Sequence, residues 1–156
     1  MFTVKIDEMN DELKAIEESM EMLMKHEVLV GIPEEGGGKP SGISNAALLF
    51  IHTNGSPLKG IPARPVIEAA LDQNSDQVAE VLKECADAGA SGDVGAVMPA
   101  LERAGMQGQN ICRDWFEGAN GWAPLKPKTI ERKGSAGVLI DTGQMRGAIT
   151  YKVESV

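Results

Sequence analysis

The stretch Gly121-Trp-Ala-Pro-Leu-Lys-Pro-Lys-Thr-Ile-Glu-Arg-Lys-Gly134, continued after a short spacer by Leu139-Ile-Asp-Thr-Gly-Gln-Met-Arg-Gly-Ala-Ile-Thr-Tyr151, decides how the chain folds. Pro124 and Pro127 each restrict a backbone φ angle and remove a hydrogen-bond donor, and the glycines permit turns. Apolar anchors such as Trp122 lie between these turns. We therefore predict an ordered but irregular arm over residues 119–143 that leads into a final strand.

Three segments have the pattern of a short strand. Apolar residues alternate with polar ones near residues 2–6 and again near residues 148–154, and residues 27–32 are rich in Val, Leu and Ile and end at Pro33. We predict a small mixed or antiparallel sheet of these strands, packed with several helices. The fold class is α+β, in a single domain spanning residues 1–156.

Four helices are predicted between the strands. The first covers residues 8–25 with Asp7 as its N-cap, and the second begins after Ser44 and ends at Gly55. A long third helix begins at Pro65 and continues to about residue 88, and a fourth covers residues 97–117. The faces predicted to be buried are Met9, Leu13, Ile16, Met20 and Leu23 in the first, Ala46, Ala47, Phe50 and Ile51 in the second, and Ile67, Leu71, Val78, Val81, Leu82 and Cys85 in the third.

Glycines in the fourth helix weaken its intrinsic stability by ~1 kcal/mol each relative to alanine. Gly105 and Gly108 lie on or beside its apolar face. We expect them to let another element approach closely.

Composition limits the function classes. The chain has 156 residues, 42% of them hydrophobic and 24% charged, with a formal net charge of -8. This charge argues against a general nucleic-acid binder, which needs a basic surface. No apolar run approaches the ~20 residues that span a bilayer, and the N-terminus has no signal-peptide pattern, so we expect no membrane partner. Cys85 and Cys112 are expected to be buried, reduced thiols.

No motif for catalysis or for a cofactor is found in the sequence. The two His and two Cys lack the spacing of metal ligands. The run Gly36-Gly-Gly-Lys39 lacks the spacing of a phosphate-binding loop. We therefore expect no metal, no cofactor and no enzymatic activity. The loop 34–43, which contains Glu35 and Lys39, is predicted to be flexible, and two interpretations stay open for it: an idle connection, or an arm that becomes ordered against a partner.

Several blocks of the sequence resemble the tailed-bacteriophage virion morphogenesis (tail-completion) family. The C-terminal blocks are Trp122-Ala-Pro-Leu-Lys-Pro-Lys-Thr129, Arg132-Lys-Gly134 and Leu139-Ile-Asp-Thr-Gly-Gln-Met-Arg146. The others are Asn45-Ala-Ala-Leu-Leu-Phe-Ile-His52, Asn54-Gly-Ser-Pro57 and Ile61-Pro-Ala-Arg-Pro-Val-Ile67 with Ala69-Ala-Leu71. Together they cover roughly half the chain in the order of the family. Val66-Ile67 departs from the pattern, since Phe is commoner after Arg-Pro, and Thr53 or Asn54 replaces the usual acidic residue.

The resemblance implies a structural virion protein that completes the head-proximal end of a phage tail and joins it to the capsid or neck. Its implied partners are further copies of itself in a ring, with six suggested by the sixfold symmetry of tail tubes, and tail-tube, tail-terminator or neck (connector) proteins. The implied location is the virion, and the host cytoplasm during assembly. The residues that we expect at contacts or in bracing roles are Glu35, Lys39, Pro62, Arg64, Pro65, Trp122, Lys126, Lys128, Arg132, Lys133, Asp141 and Arg146.

Two alternatives stay open. One is a small phage-encoded metal-dependent hydrolase or nuclease. The other is a head adaptor that contacts DNA through the basic patch of residues 126–133, although we expect an acidic protein partner for this patch and no specific nucleic-acid binding. Trp122 is expected to anchor the arm.

Overall fold

A computed structural model describes residues 6–34, 42–118, 120–134, 136–139 and 143–156, with the backbone alone for residues 6–8. The helices in this part of the chain are α1 (Ile6–Met24), α2 (Asn45–Asn54), α3 (Ile67–Gln73), α4 (Ser75–Ala90), α5 (Val94–Asp114), α6 (Pro127–Lys133) and α7 (Gln144–Ala148), with a 3₁₀ turn at Pro57–Lys59. The strands are β1 (His26–Gly31) and β2 (Thr150–Ser155). None of the described helices is long and apolar enough to cross a membrane.

The two strands pair in an antiparallel sheet, and helices pack against it, which confirms the α+β class. The pairing continues to the last residue, where the Val156 amide donates to the Lys25 carbonyl at 2.9 Å. The third predicted strand falls on residues 2–6. Residues 1–5 lie outside the described part of the chain, whereas Ile6 begins α1. Asp7 therefore lies within α1 and is not its N-cap, which corrects the prediction.

The chain divides into two compact units. Unit 1 contains residues 1–29, 75–107 and 151–156, and unit 2 contains residues 30–74 and 108–150. The prediction of a single domain stays a prediction.

Unit 1 has its core where α4 and α5 meet. The buried side chains are Cys85, Val97, Ala100, Leu101 and Ala104, and half-buried apolar residues of α1, β1 and β2 pack against them. Buried Ser19 of α1 donates a 2.6 Å hydrogen bond to the Gly89 carbonyl of α4. A Cβ at Gly89 would lie 2.7 Å from Leu23 Cδ2, so the glycine lets the side chains of α1 pack closely against α4.

The prediction that Gly105 and Gly108 let another element approach α5 closely is confirmed. In unit 1, a Cβ at Gly105 would lie 2.7 Å from Cγ of Tyr151 in β2. In unit 2, a Cβ at Gly108 would lie 3.0 Å from Cγ2 of Val30. Both glycines therefore let a large side chain contact the helix backbone.

The predicted buried faces of three helices need correction. In α1, Leu23 is half-buried, but Met9, Leu13, Ile16 and Met20 are exposed. Ala47, Phe50 and Ile51 of α2 and Leu82 of α4 are also exposed. Helical spacing predicts an apolar face correctly, but burial of that face depends on a covering element.

The predicted helix from Pro65 to about residue 88 is two helices, which is a second correction. The Pro65 carbonyl, which would accept the Ala69 amide in a helix that began there, instead accepts a hydrogen bond from Trp122. The helix therefore begins at Ile67. It ends at Gln73, and the side-chain amide of the next residue, Asn74, donates to the Ala70 carbonyl at 2.8 Å and competes with continued helix.

The predicted caps of α2 are confirmed. The Ser44 hydroxyl accepts a hydrogen bond from the Ala47 amide at 3.1 Å, and Gly55 ends the helix with φ 71°.

Candidate binding cleft

Two of the sequence blocks behind the resemblance interlock in unit 2. The indole Nε1 of Trp122 donates to the Pro65 carbonyl at 3.1 Å, and Arg64 Nη2 donates to the Ala123 carbonyl at 3.0 Å. Two neighbouring residues of one block thus bind two neighbouring residues of the other. The segment after α2 and the C-terminal arm therefore form one structural element, although they are far apart in sequence.

A tight turn between residues 55 and 64 positions Arg64. The amide of Ser56 donates to the Ile61 carbonyl at 2.8 Å, and the Ile61 amide returns a 3.0 Å bond to Ser56. The Arg64 amide then donates to the His52 carbonyl at 2.6 Å. Gly55 permits this closure, because a Cβ there would lie 2.7 Å from the Ala63 nitrogen and its φ is positive.

Trp122 is half-buried and held on two sides. Its ring meets Phe116 edge-on, with centroids 5.8 Å apart and an interplanar angle of 87°. Its backbone amide donates to Asn120 Oδ1 at 3.2 Å. With the bond to Pro65, these contacts give the residue the anchoring geometry expected of it.

The arm carries a helix that the sequence did not reveal. Residues 127–133 form α6, with Pro127 at its first position and Gly134 at its end with φ 73°. Four of the expected site residues lie on this helix or next to it, namely Lys126, Lys128, Arg132 and Lys133. The prediction of a wholly irregular arm is therefore wrong.

A cleft of about 680 Å³ opens beside α6 in unit 2. Its lining includes five cationic side chains and no acidic one among the described residues. The cations are Lys59, Arg64, Lys126, Arg132 and Lys133. Apolar side chains of Leu48, Ile61, Leu125, Leu139 and Met145 supply much of the remaining wall.

Arg64 is the most enclosed of these cations, with 6% of its surface exposed. Burial lowers the pKa of its guanidinium from the ordinary value, but an arginine of this kind keeps its charge. Its Nε atom has no hydrogen-bond partner, and no described carboxylate forms an ion pair with it. A buried charge without an opposite charge is costly, so the cleft favours an anion.

The other cations strengthen this preference. The Lys126 side chain extends over the turn of residues 55–64. Its Nζ lies 3.7 Å from the position that a Cβ on Gly60 would occupy. Lys59, Lys126 and Arg132 are exposed and make no ion pair with any described residue. Lys133 donates to the Gly137 carbonyl at 2.5 Å.

Of the remaining site residues, Pro62 lies on the cleft wall, and the others lie apart from the cleft or outside the described residues. Arg146 braces the end of α5: its Nη1 lies 2.6 Å from Glu117 Oε1, and its Nε donates to the Arg113 carbonyl at 3.0 Å. Pro62 is exposed on the cleft wall, and Lys128 is exposed but does not line the cleft. Glu35, Lys39 and Asp141 lie outside the described residues.

Lys59 is the residue that sequence reasoning missed. It lies in the 3₁₀ turn, between two blocks that the resemblance singled out. Nothing in its local sequence distinguishes it, because its relation to α6 arises only from folding.

The described residues contain no group of three or more His, Cys, Asp or Glu side chains that could hold a metal ion. Both cysteines are free and buried, as expected. The five cations that line the cleft make it suited to bind a negatively charged group. Comparison of the chain with protein-family models, with curated proteins and with solved structures finds no match.

Proposed function

We propose that the protein is a structural component of a tailed-phage virion that completes the head-proximal end of the tail and joins it to the capsid or neck. One observation carries the proposal: the two sequence blocks that resemble the tail-completion family interlock through Trp122, Pro65, Arg64 and Ala123. Residues that resemble the family thus meet in one place, beside a cleft that favours anions.

The proposed mechanism is assembly by complementary shape and charge. Identical head-to-tail contacts close into a ring when the rotation between neighbours closes. Such a ring presents the same surfaces, repeated around an axis, to the end of the tail tube. The acidic chain and its local basic cleft supply charge patterns that reject wrong partners and orient the right one.

The proposal is tested by mixing the purified protein with purified tail tubes lacking it and imaging them by negative-stain electron microscopy. The expected result is a ring or cap on one end of each tube. Unmodified tube ends, together with normal joining of heads and tails in a phage whose copy of the gene is interrupted, contradict the proposal.

The cations of the cleft also favour the DNA-contacting head adaptor as a second candidate. A protein that neutralises several phosphates loses affinity steeply as salt rises. Gel-shift titration of duplex DNA at several salt concentrations separates the two functions. Binding at physiological salt with a steep salt dependence supports the adaptor, and no binding there removes it.

A further inference from the structure

The charge of the chain is divided unevenly between the two units. Unit 1 contains 15 acidic residues against 6 Lys and Arg, whereas unit 2 contains 8 against 9. The formal charges are therefore -9 and +1, which together make the -8 of the whole chain. The cleft with its five cations belongs to unit 2, so one molecule carries a strongly acidic surface and a basic cleft.

Helix α1 carries 7 of the 15 acidic residues of unit 1, together with an apolar stripe that α4 covers only in part, since Met20 Sδ lies 3.0 Å from where a Cβ of Gly89 would be. Met9, Leu13 and Met24 are 44%, 57% and 68% exposed, and Met20 lies between them on the same face. These spacings place the side chains in one line along the helix. Exposed Glu17, three and four residues from Met20 and Leu13, borders the stripe and makes no ion pair with any described residue.

The cleft has the complementary character. Leucine, isoleucine and methionine side chains form its apolar wall, and Lys59, Lys126 and Arg132 are exposed cations at the same site. An amphipathic helix that enters such a groove buries apolar side chains and places its flanking carboxylates near the cations.

We propose that the cleft of one molecule binds the acidic, apolar-striped face of α1 from a second copy of the chain. The carboxylates of α1, Glu17 among them, supply the negative charge that is missing from the described lining of the cleft. The contact joins two different surfaces, so it is head-to-tail and leaves a free cleft and a free α1 at the ends of any open chain. The inference rests on the proposed function, whose ring it supplies with a subunit contact.

The first experiment measures self-association of the full chain by sedimentation equilibrium up to about 1 mM protein. Association is expected, and it weakens as salt rises from about 0.05 M to about 0.5 M because ions screen the contact. Lys126→Glu is expected to weaken association about tenfold or more. Lys128→Glu is the matched control: it makes the same charge change near the start of α6, at an exposed side chain outside the cleft.

The second experiment reverses the charge on the opposite surface. Glu17→Lys in α1 is expected to weaken association as Lys126→Glu does, whereas Glu80→Lys, also exposed and in unit 1 but on α4, is the control. Mixing the Lys126→Glu and Glu17→Lys proteins tests the pairing directly. In the mixture, the cleft of the Lys126→Glu protein can bind α1 of the Glu17→Lys protein, and this contact again pairs opposite charges. The mixture is therefore expected to associate more strongly than either variant alone.

Three outcomes overturn the inference. The wild-type protein stays monomeric at every concentration, Lys126→Glu and Lys128→Glu weaken self-association equally, or the mixture of variants associates no more strongly than each variant alone. Tight binding of duplex DNA that Lys126→Glu abolishes assigns the cleft to nucleic acid instead. Capping of tail tubes is scored separately with the wild-type protein. If the wild-type protein caps the tubes but Lys126→Glu leaves self-association unchanged, only the proposed contact is refuted. If the wild-type protein does not cap the tubes, the result counts against the proposed function.

Discussion

Replacement of Gly105 by alanine is expected to destabilise the protein, although alanine is the better helix former. In the middle of a helix this change alone stabilises by ~1 kcal/mol. The added Cβ, however, would lie 2.7 Å from Tyr151 Cγ, far inside the ~3.5–4.0 Å of a favourable carbon contact. The crowded atom is close to the β2 backbone and cannot move as a flexible side-chain end can.

The expected magnitude follows from these two opposing effects. Overpacking of this kind costs ~1–3 kcal/mol, and displacement of the ring also disturbs the 2.8 Å hydrogen bond from the Tyr151 hydroxyl to Glu102. After subtraction of the helix preference of ~1 kcal/mol, we expect the free energy of unfolding to fall by up to about 2 kcal/mol. The assay is urea unfolding followed by far-ultraviolet circular dichroism.

The same substitution in a Tyr151→Ala protein separates the helix preference from the clash with the ring. In a Tyr151→Ala protein the ring is absent, so Gly105→Ala is expected to stabilise by about 0.5–1 kcal/mol. The effect of the same substitution therefore changes sign. Gly147→Ala is the control, since no atom lies within 4 Å of its added Cβ. Equal destabilisation by Gly105→Ala with and without the Tyr151 ring would refute the reasoning.

Three further predictions concern single side chains. Trp122→Phe, which loses the donor to Pro65 and part of the ring, is expected to lower the free energy of unfolding by ~1 kcal/mol or more, and Trp122→Ala by ~3 kcal/mol; a loss well under ~1 kcal/mol for Ala places the ring outside the packed structure. The hydrogen bond to Glu102 raises the pKa of Tyr151, the one tyrosine of the chain, so its ultraviolet titration is expected to shift downward in Glu102→Gln, and an unchanged midpoint contradicts this. Burial raises the pKa of Cys112 to about 11, above the ~8.5 of a free thiol. Its contribution to stability is therefore complete below pH ~8.5 and lost as pH rises toward 11, so the urea midpoint of the wild type should fall more steeply over this range than that of Cys112→Ala.

Local patterns predicted many elements correctly. Residues 27–32 and 148–154 lie in or next to β1 and β2, and the caps of α2 at Ser44 and Gly55 match their predicted roles. These features depend on neighbouring residues, since alternation and capping act within a few positions of the chain. The resemblance of the arm to the tail-completion family stays a prediction.

Other features required partners that are distant in sequence. The start of α3 at Ile67 depends on Trp122, which occupies the Pro65 carbonyl that would otherwise begin the helix. The exposure of Leu13 and Met20 in α1 depends on how much of the helix α4 covers. No periodicity within the segment contains that information.

The α+β class, the helices α1, α2 and α5 and both described strands could be predicted from the sequence, because propensity, caps and periodicity are local properties. The sequence also showed a short basic patch in an acidic chain. The position of buried Arg64 in one cleft with Lys126 and Arg132, and with Lys59 from a turn, depends on the tertiary fold. These cations come from two segments about sixty residues apart, which are held together where the side chains of Trp122 and Arg64 donate to the carbonyls of Pro65 and Ala123.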